Sequence, residues 1–128
     1  MSKIKLGATP KTFKTFPVKF PMADGTWGVI QATFNYRTRT QFGQFLNQVF
    51  NDAGETPNAD EKPDFEVIFS KTKDKNADHL VLALAGWDVE DKELSRANLQ
   101  QLADEIPAAC IALMTAYNVA CTEGRLGN

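Results

Sequence analysis

The hydrophobic period of this chain changes from two residues to about 3.6 at the Arg37–Thr38 junction, and that change restricts the fold more than any other feature. Before it, Phe16, Val18 and Phe20 alternate with charged or turn residues, and Ile30, Ala32, Phe34 and Tyr36 alternate in a second run. Between them, Pro21-Met-Ala-Asp-Gly25 supplies an Asp-Gly turn, with glycine able to take positive φ. These residues predict an antiparallel β-hairpin. Pro17 cannot donate to a ladder, which puts the first strand at a sheet edge. Trp27 and Val29 fall on the opposite parity from Ile30 to Tyr36, which predicts a bulge near Gly28.

After the junction the pattern is helical. Thr38-Arg-Thr-Gln41 has the form of a capping box. Phe42, Phe45, Leu46, Val49 and Phe50 then follow at the spacing of one helix face, with Gly54 as the stop. Residues 55–63 read as a polar loop between two prolines. Asp64 opens a helix carrying Phe65, Ile68, Phe69 and Thr72, although Phe65 to Phe69 would also suit a strand. A separate short helix is expected from His79 to Ala85, with Asp78 as its N-cap and Gly86 as its stop, and Trp87 packed into the core. Ser95 caps a helix with Leu99, Leu102, Ala103 and Ile106 on one face; Pro107 ends it and opens the next. In that last helix Ala108, Ala112, Ala116 and Ala120 recur every four residues, and Gly124 supplies the stop. The expected architecture is α+β: one domain over 1–128, with a hairpin region over 1–37 and a bundle of about four to five helices over 38–128.

Composition narrows the function. No apolar run approaches the ~20 residues needed to span a bilayer. The N-terminus has positive charge but no following apolar stretch, unlike a signal peptide. Both features lead to the expectation of a cytoplasmic protein with no membrane partner. Cys110 and Cys121 lie eleven residues apart in one predicted helix, so their Cα atoms would stand about 16 Å apart, beyond the ~7 Å reach of a disulfide. Residues 1–40 carry seven Lys and Arg against one acid, and the remainder seven against fifteen. A +6 segment is thus followed by a −8 segment within a net charge of −2. Such polarity suits an acidic partner, nucleic acid, or head-to-tail association of copies.

No catalytic, metal or cofactor site emerges. His79 is the single histidine and has no cysteine or acid at ligand spacing; its expected place is a partly exposed position in a first helical turn. Neither cysteine sits in a nucleophile motif. Asp88, Glu90, Asp91 and Glu93 lack the spacing of a calcium loop and read as a solvated loop. The hairpin aromatics, with Lys14, Lys19, Arg37 and Arg39, have the composition of a nucleic-acid platform, but Phe16, Phe20, Phe34 and Tyr36 occupy the positions a half-buried sheet uses for its core. The alanine stripe permits close approach of another helix, from within the domain or from a partner.

Three segments carry a resemblance to a known family: Lys3-Ile-Lys-Leu-Gly-Ala-Thr-Pro-Lys-Thr-Phe13; Phe34-Asn-Tyr-Arg-Thr-Arg-Thr-Gln-Phe42; and Gly86-Trp87-Asp88 with Leu99-Gln-Gln-Leu-Ala-Asp-Glu-Ile-Pro107 and Glu123-Gly-Arg-Leu-Gly-Asn128. Together they resemble small phage tail assembly chaperones of prophages and long-tailed phages, with residues 55–76 matching least. The resemblance implies a non-enzymatic assembly factor in the host bacterial cytoplasm, absent from the mature virion. It would bind the tape-measure protein, keep it soluble, and help tail-tube protein assemble around it, with self-association along the tape as an added expectation. Helix-in-groove docking is the physical route, either on a groove edged by Phe45, Val49 and Phe50 or on the stripe at Ala112 and Ala116. Arg37, Arg39, Glu123, Arg125 and Leu126 complete the candidate contacts. The alternatives are a nucleic-acid-binding module on the basic, aromatic hairpin and a structural component of the virion tail.

Overall fold

β1 (Phe16–Pro21) and β2 (Trp27–Phe34) form the expected antiparallel hairpin in the computed structural model, which describes residues 3–50 and 64–125. Gly25 takes φ 85°, and the Asp24 carboxylate accepts from the backbone N–H (2.9 Å) and hydroxyl (2.6 Å) of Thr26. Those bonds hold the Asp24 carboxyl below the usual carboxylate range. β1 is an edge strand, as Pro17 requires.

The expected bulge at Gly28 is absent. The register runs evenly from Phe16 opposite Ala32 to Pro21 opposite Trp27. Gly28, Ile30, Ala32 and Phe34 share the inward face, while Trp27 and Val29 are exposed on the outer one. Two apolar residues on the solvent side mimic a change of parity. The glycine serves close packing instead: a Cβ there would lie 2.5 Å from the Phe20 ring and 2.9 Å from the Met22 sulfur.

α1 (Arg39–Phe50) starts at the capping box: the Gln41 N–H donates to Thr38 Oγ1 (3.2 Å), and the Thr38 N–H donates to Gln41 Oε1 (2.9 Å). Gly54 and the 55–63 loop lie outside the described residues. α2 (Phe65–Ala83) opens at Asp64, whose side chain accepts from the Val67 N–H (3.2 Å). It is one helix of 19 residues, where the sequence suggested two. Asp78 is therefore mid-helix and pairs with Arg96 at 2.7 Å instead of capping. Positions 65, 68, 69, 72, 76, 79, 80 and 83 form one continuous face at helical spacing.

The expected helix over 79–85 is cut short at Ala83. Leu84 turns extended (φ −90°, ψ 134°), and Leu84–Gly86 becomes β3, antiparallel to β2, with an irregularity between Thr33 and Phe34. Beyond the end of β3, the Asp88 carboxylate accepts from the Gln31 N–H at 2.7 Å, so that acid completes the sheet edge. Trp87 packs partly against the core and donates through Nε1 to the Lys92 carbonyl (3.0 Å).

α3 (Arg96–Glu105) is capped by Ser95, and α4 (Pro107–Glu123) follows a bend of 116° at Ile106. Gly124, at φ 74°, closes α4 in the left-handed conformation. The architecture is thus an α+β fold, with an N-terminal antiparallel hairpin followed by four helices among the described residues. Helices and sheet share one core, in which Phe34, Leu80, Leu99, Leu113 and Tyr117 are fully buried. Cys110 and Cys121 are both buried and free; burial pushes the Cys110 thiol up to about 11.

Candidate functional site

α4 packs against the edge strand β1, and the small side chains of its alanine stripe leave a groove of about 820 Å³ between them. Phe16, Val18, Ala112, Ala116 and Val119 give it an apolar floor. Ala112, Thr115, Ala116, Val119 and Glu123 fall at helical spacing, so one face of α4 forms one wall. Lys19 stands on the strand side, and at the helix end Glu123 and Arg125 pair at 3.5 Å. Four sequence candidates, Ala112, Ala116, Glu123 and Arg125, therefore lie together; Leu126 lies outside the described residues.

The strand side of the groove escaped the sequence reading, which took Phe16 and Val18 as part of the strand alternation and weighed Phe16 only between core and base stacking. The available signal was the combination of an edge strand, marked by Pro17, with small residues every fourth position. A chain edge beside a row of alanines leaves space that larger residues would fill.

The structure places the other candidates elsewhere. Phe45 and Val49 are core side chains, 3% and 5% exposed, and present no groove edge. Phe50 is half-buried beside a smaller hollow of about 250 Å³, also lined by Leu46, His79 and Met114. Arg37 turns inward: its Nη1 donates to the Leu82 carbonyl (3.1 Å) and Tyr117 Oη (2.6 Å), and its guanidinium lies 4.3 Å above the Phe45 ring. Arg39 donates to the Thr122 carbonyl at 2.8 Å. The two arginines thus bring positive charge to the C-terminal ends of α2 and α4, where orphan carbonyls and the helix dipole favour it.

His79 is also not where the sequence put it. It is 2% exposed, ringed by Phe45, Phe50 and Tyr117, and its Nδ1 has no hydrogen-bond partner among the described residues. Burial, and after it the charge of Arg37, lowers its pKa to about 4. Tyr117 donates to the Asn35 carbonyl (2.9 Å), and burial raises its pKa to about 12. Of the hairpin aromatics offered for base stacking, Phe20 and Phe34 are buried, Tyr36 packs on Phe13 at 5.2 Å, and the half-buried Phe16 lies in the floor of the groove.

Among the described residues, no group of three or more His, Cys, Asp or Glu is placed to hold a metal ion, and no single helix is long and apolar enough to cross a membrane. What the surface offers is an open apolar groove with charged ends. A protein-family model described as phage tail assembly chaperone matches residues 1–128. The chain belongs to that family. No curated protein and no solved structure matches it. Membership makes this chaperone an assembly factor with tail proteins as its partners, and gives the groove its interest as a protein-docking surface.

Proposed function

We propose that this tail assembly chaperone binds the tape-measure protein by accepting one of its amphipathic helices in the groove between β1 and α4. The observation that carries the reading is the meeting of apolar Phe16, Val18 and Val119 with the small Ala112 and Ala116 in one open trough. A long helical chain has apolar stripes that aggregate when bare, and a groove of this chemistry covers them by helix-in-groove docking. Lys19 on one side and Glu123 with Arg125 at the end supply charges that set the orientation of the guest helix. The protein acts without catalysis in the host bacterial cytoplasm, holds the tape soluble while tail-tube subunits polymerise around it, and leaves before the virion is complete.

Co-expression with the tape-measure protein of the same phage, followed by size-exclusion chromatography with light scattering, tests this. Wild-type chain keeps the tape soluble and co-elutes with it. Ala116→Trp fills the trough at a half-buried position, and is expected to retain the wild-type circular dichroism spectrum while losing co-elution. Lys19→Glu, at the exposed rim, is expected to weaken it. A folded Ala116→Trp chain that still solubilises the tape would overturn the assignment of the groove. Tape-measure protein that precipitates in the presence of wild-type chain would overturn the choice of partner.

A further inference from the structure

The first two turns of α2 form a second surface, remote in character from the groove. Every residue from Asp64 to Thr72 is exposed, including Phe65 at 62%, Ile68 at 43% and Phe69 at 68%. Phe65, Ile68, Phe69 and Thr72 continue the helix face that, further along, carries the buried His79, Leu80 and Ala83. The apolar face that anchors the second half of the helix in the core is thus left uncovered along the first half.

The charges beside this seam say what fits it. At 100° per residue, Glu66 and Lys73 flank one side, and Asp64 and Lys71 the other. Acids stand at the N-terminal end and bases two turns on, on both flanks. A parallel copy would set acid against acid and base against base. An antiparallel copy sets Glu66 against Lys73 and Asp64 against Lys71, twice each across a two-fold axis, with Ile68 against Phe69 and Phe65 against Thr72 in the seam. The pattern is complementary to itself in that one orientation.

We propose that two copies of this chain pair through an antiparallel α2–α2 contact centred between Ile68 and Phe69. The contact is isologous, so it closes at a dimer and does not extend into a filament. Two helical turns per copy place it below the ~1,200 Å² of standard interfaces, in the class of weak, concentration-dependent dimers. It leaves the β1–α4 groove out of the pairing and does not depend on the reading of that groove.

Sedimentation equilibrium on the full chain over a wide concentration range is the test. Wild type is expected to move from monomer toward dimer mass as concentration rises, and Ile68→Arg to remain monomeric with unchanged circular dichroism. Glu66→Lys and Lys73→Glu each create like-charge contacts and are expected to weaken self-pairing by roughly tenfold. Mixed together they restore every pair between unlike copies, so the mixture dimerises where neither variant does alone. A wild type that stays monomeric throughout overturns the proposal, as does a dimer that neither charge variant weakens. Monomeric wild type whose Ile68→Arg variant loses tape-measure solubilisation would assign the face to a heterologous partner, and the dimer would again be refuted.

Discussion

A neutral imidazole enclosed by three aromatic rings makes stability depend on pH in a definite direction. His79 titrates at about 4 in the folded chain against 6.5 for an ordinary histidine, so between those values the unfolded chain binds the extra proton. Its contribution is therefore complete above about pH 6.5 and is lost as pH falls toward 4, by about 3 kcal/mol in all. Urea unfolding at pH 7, 6 and 5 is expected to show wild type losing stability faster than His79→Leu; parallel losses would refute the assignment. Neither this residue nor Arg37 was legible from the sequence. His79 precedes an apolar run, which resembles a helix start, and its burial depends on Phe45, Phe50 and Tyr117 arriving from two other helices. Arg37 has its main partner eighty positions away at Tyr117, and no local pattern announces such a contact.

At the scale of elements, legibility follows the distance over which the determining interaction acts. The start of α1 could be read because both members of the capping box lie within four residues of each other. Ser95 and Asp64 were readable for the same reason, and Pro107 because it restricts its own neighbour. The continuity of α2 was obscured by Asp78 standing before an apolar run, which reads as an N-cap but lies within one helix and pairs with Arg96. β3 was hidden because Leu84–Gly86 becomes a strand only through pairing with β2. Half of the groove was visible in the alanine period; the other half required knowing that β1 would lie beside it. Gly28 belongs to this scale too. Replacing it with alanine drives a methyl into Phe20 and Met22, and is expected to cost about 1–3 kcal/mol in denaturant unfolding. An unchanged midpoint would mean that the hairpin is free to splay at this point.

At the scale of the whole molecule, the short passage from β2 into α1 reaches both long helices. Asn35 donates through its backbone N–H to the Ala83 carbonyl (2.7 Å) and through Nδ2 to the Leu82 carbonyl (3.0 Å); Arg37 shares Leu82, and Arg39 takes Thr122. Three alternate positions, 35, 37 and 39, thus close the ends of α2 and α4, helices that are otherwise far apart in the chain. These bonds couple the final turns of those helices to one passage of the chain. In deuterium exchange, amides late in α2, late in α4 and in the centre of β2 are expected to exchange as one unit with a common opening free energy. Arg37→Ala should split that unit, releasing the end of α2 first while the outer turns of α1 stay as they were. Persistence of a single exchange class in that variant would show that the core alone holds the unit together. The docking proposed above would then meet an α4 wall whose last turn is tied, through Arg39 and the Thr122 carbonyl, to the passage between β2 and α1.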